Sequence, residues 1–288
     1  MIICDTHRFI FIHIPKCAGT SVRKALAPYD ETNGQFARRA YHETLGHIDY
    51  GHIPLFVLKK HFSDKYEKLL RYDSYAVLRD PYSRFPSSLA QHLRMYRQVE
   101  MRQLSPKMLK RVIDETLNIL GDHADPMAYL PHQYIHFQRQ KDFIYLEEIK
   151  ITKNLYTTHI ASEVITSIGD LIGKPLKTVS DAIQPKENET QFYRNAWIRM
   201  LVEHSKPLLK AVLREERWES LKQATRDRVF TSSDRRLQAV FDSDHVRDFI
   251  ADYYQDDIDL FETVHQSELI STLKDNTAHK QPATNTSS

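Results

Sequence analysis

The sequence FIFIHIPKCAGTSVRKAL occupies residues 9–26, and it decides the fold that we expect. Its first six residues are aromatic or β-branched apart from one histidine, which is typical of a buried strand. Pro15 ends this strand, and Gly19 allows the backbone to turn close to a ligand. Thr20 and Ser21 are suitable N-terminal caps for the helix that the following apolar spacing predicts. The stretch therefore predicts a strand, a tight loop and the start of a helix.

The predicted loop favours the binding of an anion. The N–H groups in the first turn of a helix lack partners within the helix, and the helix dipole adds partial positive charge there. Lys16 contributes a full positive charge, and the hydroxyls of Thr20 and Ser21 can donate further hydrogen bonds. The loop differs from a Walker A loop, which places its lysine directly before the hydroxyl residue, because Lys16 lies three residues before Gly19.

A second motif, AVLRDPYSRFPSS, occupies residues 76–88 and follows another predicted buried strand. Arg79 stands at the end of this strand, where its guanidinium can form a two-pronged salt bridge with a phosphate. Ser87, eight positions later, can donate to the same group from the next helix. Pro86 predicts that this helix begins near it, because proline is unusual in a helix interior. An Arg-Asp-Pro sequence is often only a salt-bridged turn, but two such motifs, each after a buried strand, favour phosphate binding.

Together the two motifs resemble those of sulfotransferases that use 3′-phosphoadenosine 5′-phosphosulfate (PAPS). Residues 14–21, IPKCAGTS, are similar to the I-P-K-T-x-G-T-S loop that binds the 5′-phosphosulfate in the membrane-type carbohydrate branch and its bacterial relatives. Cys17 stands where threonine is usual. The sequence from Arg79 to Ser87 is similar to the R-D-P-x-x-R-x-x-S motif that binds the 3′-phosphate. The resemblance implies a set of cofactor-binding residues: Lys16, Cys17, Ala18, Gly19, Thr20, Ser21, Arg79 and Ser87.

The resemblance also implies the architecture. We expect an α/β, P-loop-like three-layer fold, with a central parallel sheet flanked by helices. A single sulfotransferase domain would span residues 1–270, and a disordered C-terminal tail would span residues 271–288, which are poor in apolar side chains. We predict a third strand over residues 143–146. Further elements are a loop over 28–46 that covers the nucleotide, one helix over 55–70, a mostly helical segment over 191–261 with Trp197 and Trp218 in its core, and an amphipathic closing helix over 246–254.

Sulfuryl transfer needs a cation near the leaving phosphate oxygen and a base for the proton of the acceptor hydroxyl. Lys16 is placed for the first role. For the base we choose His52, because residues 50–53, YGHI, resemble the H-G-H-V segment of uronyl 2-O-sulfotransferases, with Tyr50 where that branch has a second histidine. Histidine is also the usual base near neutral pH, with an ordinary pKa of about 6.5.

Most of the 15 histidines in the chain must have other roles, so three further candidates for the base stay open. These candidates are His47, His42 and Glu43. His13 lies inside the predicted strand, where we expect a structural role. No metal is expected at the site, because a lysine can neutralise the leaving charge without Mg²⁺.

The composition limits the classes of protein that fit. The 288 residues are 41% hydrophobic and 27% charged, which suits a globular protein with a core. Lys plus Arg number 40 and Asp plus Glu 38, and this balance argues against nucleic acid as a partner. With two cysteines we expect neither a disulfide framework nor a zinc site. The animal enzymes that the sequence resembles are Golgi membrane proteins, whereas no apolar run here approaches the ~20 residues of a membrane span. The resemblance therefore implies a bacterial, cytoplasmic relative without a stable membrane anchor.

The sequence analysis thus favours a PAPS-dependent sulfotransferase with PAP as product and a hydroxyl acceptor, expected to be a carbohydrate. Basic residues are frequent over residues 92–111, and beside such a site they would suit an anionic sugar chain. Two alternatives stay open. A P-loop kinase would need a Walker lysine and a carboxylate for Mg²⁺, and a non-catalytic module would bind only PAP or an anionic glycan.

Overall fold

The computed structural model describes residues 1–125, 127–176, 192–193, 230–231 and 235–278. The predicted helical core around Trp197 and Trp218 lies outside these residues. The strands, in chain order, are β1 (Ile2–Cys4), β2 (Phe9–Ile12), β3 (Arg39–His42), β4 (Gly46–Asp49), β5 (Asp73–Leu78), β6 (Tyr145–Leu146), β7 (Ile149–Lys150), β8 (Asn154–Thr157), β9 (Phe192–Tyr193) and β10 (Phe230–Thr231). The α-helices are α1 (Gly19–Leu26), α2 (Leu55–His61), α3 (Ser63–Arg71), α4 (Pro81–His92), α5 (Pro106–Asp122), α6 (Glu163–Leu171), α7 (Arg235–Phe241), α8 (Asp244–Tyr253) and α9 (Gln255–Ala278).

A mostly parallel sheet with the strand order β1-β2-β5-β8 forms the centre of the fold. β1 pairs antiparallel with β2, whereas β2 pairs parallel with β5, and β5 parallel with β8. Every residue of β2 is buried, as are all but the first of β5, as expected for strands covered on both faces. The chain therefore has a mixed α/β fold with a central sheet, as predicted.

Alternate residues of the two central strands pack against helices on opposite faces of the sheet. Phe9 and Phe11 join a cluster with residues of α1 and α6. Ile10 and Ile12 join another cluster with residues of α2 and α3, and α9 packs against the same cluster. A third cluster, built from α4, α5, α7 and α8, lies beside the sheet and contains Phe85. This layering places the loops after β2 and β5 at one edge of the sheet, where both motifs lie.

Several predicted elements differ in the structure. The third parallel strand is β8, while residues 145–146 form only a two-residue strand that pairs with β7. The predicted loop over 28–46 contains β3, which pairs with β4 in a hairpin. The helix predicted over 55–70 is broken at Phe62, where the backbone leaves the helical region.

The helix after the second motif begins at Pro81, although Pro86 favoured a start near itself. The carboxylate of Asp80 accepts hydrogen bonds from the N–H groups of Tyr82 and Ser83, which fixes the N-terminus of α4. Pro86 lies inside this helix. A strong N-terminal cap therefore outweighs the proline signal.

The C-terminal part of the described chain is helical. The closing helix predicted over 246–254 is α8, and the chain continues into α9 as far as Ala278, so the first residues of the predicted tail are helical. Residues 279–288 lie outside the described part, and a disordered tail there stays a prediction. Within the described residues, no helix combines the length and the apolar character that a membrane span requires.

Candidate active site

The loop between β2 and α1 has a backbone that exposes the start of the helix. Lys16 and Ala18 adopt left-handed conformations, with φ of 63° and 56°, which are costly for residues other than glycine. Ala18 precedes α1, and no side chain caps this N-terminus. Thr20 and Ser21 were predicted as caps, and this is wrong: they lie exposed in the first turn. The first N–H groups of α1 therefore have no side-chain partner and remain suited to an external anion.

The structure shows why glycine is required at position 19, which the sequence did not. A Cβ atom at this position would lie 2.3 Å from Cδ2 of His13, closer than any real contact. The backbone of Gly19 is not left-handed. Glycine is therefore needed here because the imidazole of His13 packs against the start of α1.

Cys17 points its side chain into the protein interior. The thiol donates to Oε1 of Gln140 at 3.1 Å, and burial raises the pKa of the Cys17 thiol to about 12. The side chain is fully buried. Any contact of Cys17 with a ligand would therefore use its backbone alone.

Gln140 holds the two sequence motifs together. Its side-chain Oε1 accepts from the N–H of Arg79 at 2.9 Å, and its Nε2 donates to the carbonyl of Arg79 at 2.8 Å. The same side chain accepts from Cys17. Nη1 of Arg79 also donates to the carbonyl of Lys16 at 3.2 Å. The end of β5 and the loop after β2 are thus fixed to each other through one buried amide.

Lys16 and Arg79 are partly buried positive charges, and the exposed side chain of Arg94 lies close enough to affect Lys16. None of the three pairs with a carboxylate of the described residues. Burial, together with the nearby charges of Arg94 and Arg79, lowers the pKa of Lys16 to about 8. Burial likewise lowers the pKa of Arg79. Positive charges placed so close together are stabilised by an anion, so the site is suited to phosphate or sulfate.

Two further residues of the second motif have different surroundings. Arg84 is 2% exposed, donates to the carbonyl of Gln138 at 2.9 Å and pairs with Asp257 at 3.5 Å, so it supports the fold. Ser87 is half-buried on α4, and its hydroxyl makes no hydrogen bond within the described part of the chain. Ser87 therefore remains available for a ligand, and its predicted role stays a prediction.

His52 lies in a short 3-10 turn and is held in one tautomer. Its Nδ1 is 2.8 Å from the carbonyl oxygen of His13. A carbonyl only accepts, so Nδ1 carries the proton and Nε2 keeps its lone pair. Burial lowers the pKa of His52 to about 4, although the charge of Asp49 opposes this shift. The imidazole is therefore neutral at physiological pH and can accept a proton or bind a cation through Nε2.

The rings of two other histidines lie next to that of His52. The ring centroids of His13 and His136 lie 4.6 Å and 5.6 Å from that of His52. Burial, then the charge of His52, lower the pKa of His136 to about 3, and Lys16 contributes to the same shift. His136 is thus near both the candidate base and the positive charge of Lys16. His13, expected to be structural, also contacts the candidate base.

The histidine cluster has a donor set that could hold a metal ion. Ligand atoms of Asp49, His52 and His136 lie within 4.8 Å of one another. Imidazole and carboxylate groups are common ligands of zinc. Asp49 is already engaged, since its carboxylate accepts from Arg39 at 2.8 Å and from the N–H of Gly51 at 2.9 Å.

The other candidates for the base lie on the hairpin of β3 and β4. His47 and Glu43 are exposed. His42 packs against the rings of His61 and Phe62 at centroid distances of 5.3 Å and 5.5 Å.

Sequence analysis missed three residues of the site, Asp49, His136 and Gln140. No local motif marks the last two, because only tertiary contacts bring them to the site.

An anion site at a helix N-terminus, a neighbouring arginine and a neutral histidine on an α/β fold suit an enzyme that acts on a phosphate or sulfate group. A sequence model described as the sulfotransferase family matches residues 1–160, more than half of the chain. The chain therefore belongs to the sulfotransferase family, which confirms the membership predicted from the two motifs and supports sulfuryl transfer in general. No curated protein and no solved structure matches the chain.

Proposed function

We propose that the protein transfers a sulfuryl group from PAPS to a hydroxyl of a carbohydrate acceptor, on a P-loop-like arrangement of strand, loop and helix. The observation that carries this proposal is the partly buried pair of Lys16 and Arg79, which has no carboxylate partner among the described residues and is fixed by Gln140. Two positive charges on adjacent strand ends suit a donor that carries a 5′-phosphosulfate and a 3′-phosphate.

Each half of the site would bind one end of the donor. The loop after β2 and the uncapped start of α1 would hold the 5′-phosphosulfate, through backbone N–H groups, Lys16, Thr20 and Ser21. Arg79 and the unpartnered hydroxyl of Ser87 would hold the 3′-phosphate.

The proposed sulfuryl transfer uses the neutral imidazole of His52 and the positive charge of Lys16. PAPS, when bound, supplies the sulfuryl group and the phosphate that leaves. Nε2 of His52 takes the proton of the acceptor hydroxyl while that oxygen bonds to sulfur and the bond from sulfur to the phosphate oxygen breaks. Lys16 neutralises the negative charge that develops on the phosphate oxygen. The hydrogen bond from Nδ1 of His52 to the carbonyl of His13 keeps the accepting nitrogen unprotonated.

The donor is tested by thermal shift and calorimetry. PAP should raise the melting temperature of the wild-type protein, and ATP with Mg²⁺ should do so much less. Arg79→Ala should weaken PAP binding about 10- to 100-fold, because it removes a charged phosphate contact. Equal stabilisation by ATP and PAP would instead favour a kinase.

The base is tested by transfer of radiolabelled sulfate from PAPS to a panel of oligosaccharides. His52→Ala should lower the rate by ~10²–10⁴ while PAP affinity stays near that of the wild type. His42→Ala and Glu43→Gln are matched controls on the neighbouring hairpin and should retain the rate. A loss of rate in either control, with His52→Ala active, would reassign the base. PAP binding without transfer to any acceptor would support a binding module.

A further inference from the structure

The short turn after β4 brings a carboxylate and an imidazole together. Asp49 is the N-terminal cap of a 3-10 turn, Tyr50–His52, and its carboxylate accepts from the N–H of Gly51 at 2.9 Å. Side chains at positions i and i+3 of such a turn lie above one another, because it has three residues per turn. Asp49 and His52 therefore face the same side, with ligand atoms within 4.8 Å of each other.

His136 joins this pair from a distant segment of the chain. It lies in another 3-10 turn, His132–Phe137, and is only 3% exposed. Its carbonyl accepts from the hydroxyl of Ser88 at 2.8 Å, which fixes its backbone against α4. One ligand atom of its ring lies within 4.8 Å of those of Asp49 and His52. The fold thus holds three ligand atoms together on two separate turns.

The ring nitrogens of this cluster lack partners. Nδ1 of His136 and Nδ1 of His13 are buried, and neither has a hydrogen-bond partner within the described residues. In His52, the hydrogen bond from Nδ1 to the carbonyl of His13 leaves the lone pair of Nε2 free. Nearly all buried polar atoms in proteins have a partner, which can be water or an ion. An ion bound to the cluster would supply one.

His52 and Asp49 already make the outer contacts that are typical of metal ligands. A metal-binding histidine usually donates its other ring N–H to a carbonyl or a carboxylate, as Nδ1 of His52 does. A metal-binding carboxylate is usually hydrogen-bonded too, and Asp49 accepts from Nε of Arg39 at 2.8 Å. Because a carboxylate offers about four lone pairs, the bonds from Arg39 and Gly51 leave others for a cation. The charge of Arg39 should weaken the binding of a cation, so we expect micromolar affinity.

The donor set of the cluster selects zinc. Two imidazoles and one carboxylate bind zinc in several classes of enzyme, and a fourth position then stays open for water. Mg²⁺ and Ca²⁺ prefer oxygen ligands alone and suit this cluster poorly. Neither cysteine belongs to the cluster, which explains why the cysteine count predicted no zinc site.

We propose that Asp49, His52 and His136 form a zinc site, and that zinc bound there blocks sulfuryl transfer. Zinc on Nε2 of His52 occupies the lone pair that takes the proton of the acceptor hydroxyl. The block rests on the proposed function, whereas the binding of zinc does not.

Zinc binding is measured by calorimetry on the metal-free full chain, with Co²⁺ as a spectroscopic probe. The wild type should bind one Zn²⁺ with micromolar affinity, and Co²⁺ should give the visible absorption bands of a tetrahedral site. His136→Asn should weaken zinc binding at least about 100-fold, because losing a ligand costs more than the 10- to 100-fold loss of an outer contact. Asp49→Asn, which keeps the shape of the side chain, should weaken it in the same direction.

His42→Asn is the matched control, since the ring of His42 also lies beside another histidine, 5.3 Å from that of His61, but outside the cluster. It should bind zinc as the wild type does. Melting curves show that each variant is folded, and zinc should raise the melting temperature of the wild type but not that of His136→Asn. The site is overturned if the wild type binds no zinc at micromolar concentrations, or if His136→Asn and Asp49→Asn bind it as the control does.

The block is measured separately, in the sulfate-transfer assay. Zinc should lower the wild-type rate in proportion to the occupied fraction of the site, and EDTA should restore the rate. Zinc that binds to the cluster and leaves the rate unchanged, or raises it, would overturn the block. A wild type that binds zinc but neither binds PAP nor transfers sulfate would overturn the proposed function and leave the zinc site in place.

Discussion

Replacement of Gln140 by leucine should weaken both the fold and the donor site. The side chain makes three hydrogen bonds, two with the backbone of Arg79 and one with the thiol of Cys17. In Gln140→Leu, the N–H and carbonyl of Arg79 lose their partner, and each unpaired backbone group costs about 1–3 kcal/mol. The expected loss of stability is therefore about 2–6 kcal/mol, a large fraction of the ~5–15 kcal/mol of a typical domain.

The variant should also bind PAP more weakly, beyond what its lower stability explains. Since Gln140 fixes Arg79 relative to the loop that carries Lys16, its loss should misplace one phosphate contact against the other. We expect PAP to bind about tenfold more weakly, measured by calorimetry at a temperature where the variant is folded. This is at the lower end of the effect of losing one charged hydrogen bond.

Gln138→Leu provides a matched control two residues away. Gln138 is also buried, and its side chain accepts from the N–H of Leu130 at 3.1 Å and donates to the carbonyl of Ala128 at 2.9 Å. Its side chain has no hydrogen bond with the donor loop, so its loss should lower stability by a similar amount and leave PAP affinity unchanged. The reasoning is refuted if both variants bind PAP equally well, or if Gln140→Leu is as stable as the wild type.

Three predictions concern pH. Because Lys16 has a pKa of about 8 and an anion favours its charged form, PAP affinity should fall about tenfold from pH 7 to pH 9, as measured by calorimetry, and a flat profile would contradict this. With the pKa of His52 at about 4, kcat/KM should stay level from pH 7 down to about pH 5, whereas an acidic limb near the ordinary value of ~6.5 would show that the base is not desolvated. Burial raises the pKa of Asp142 from 3.8 to about 7, so the folded state holds this proton more tightly than the unfolded state and stability falls as the pH rises through that window. Asp142→Asn should remove this fall. Between pH 5 and pH 8, its free energy of unfolding should rise by up to about 2–3 kcal/mol relative to that of the wild type, as measured by urea unfolding. A difference between the two proteins that does not change with pH would disprove this.

The elements that sequence analysis found are those with strong local signals. The buried strand predicted before the second motif is β5, because Tyr75–Leu78 form a continuous apolar run. α5 begins at Pro106, a common first residue of a helix, and the hydroxyl of Ser105 accepts from the N–H of Met108. Both motifs follow their strands because a strand and the turn that ends it are each encoded within a few residues.

The elements that sequence analysis missed are stabilised by residues that are far away in the chain. β8 has the sequence NLYT, without a continuous apolar run, and its end is fixed by Glu268, which accepts from the N–H and the hydroxyl of Thr157. Gln140 and His136 belong to a segment without a motif. Asp257, which accepts from the N–H of Gln140 at 2.8 Å, lies 117 residues farther along the chain. No local pattern predicts contacts at such separations.

The packing of His13 against Gly19 limits how this enzyme can change over evolutionary time. A methyl group at position 19 would displace the imidazole of His13, and that imidazole lies 4.6 Å from the ring of His52. A mutation that reshapes the loop for another donor would thereby disturb the group proposed to deprotonate the acceptor. In descendants of this chain, residues 13–19 would therefore be expected to change only together with the surroundings of His52.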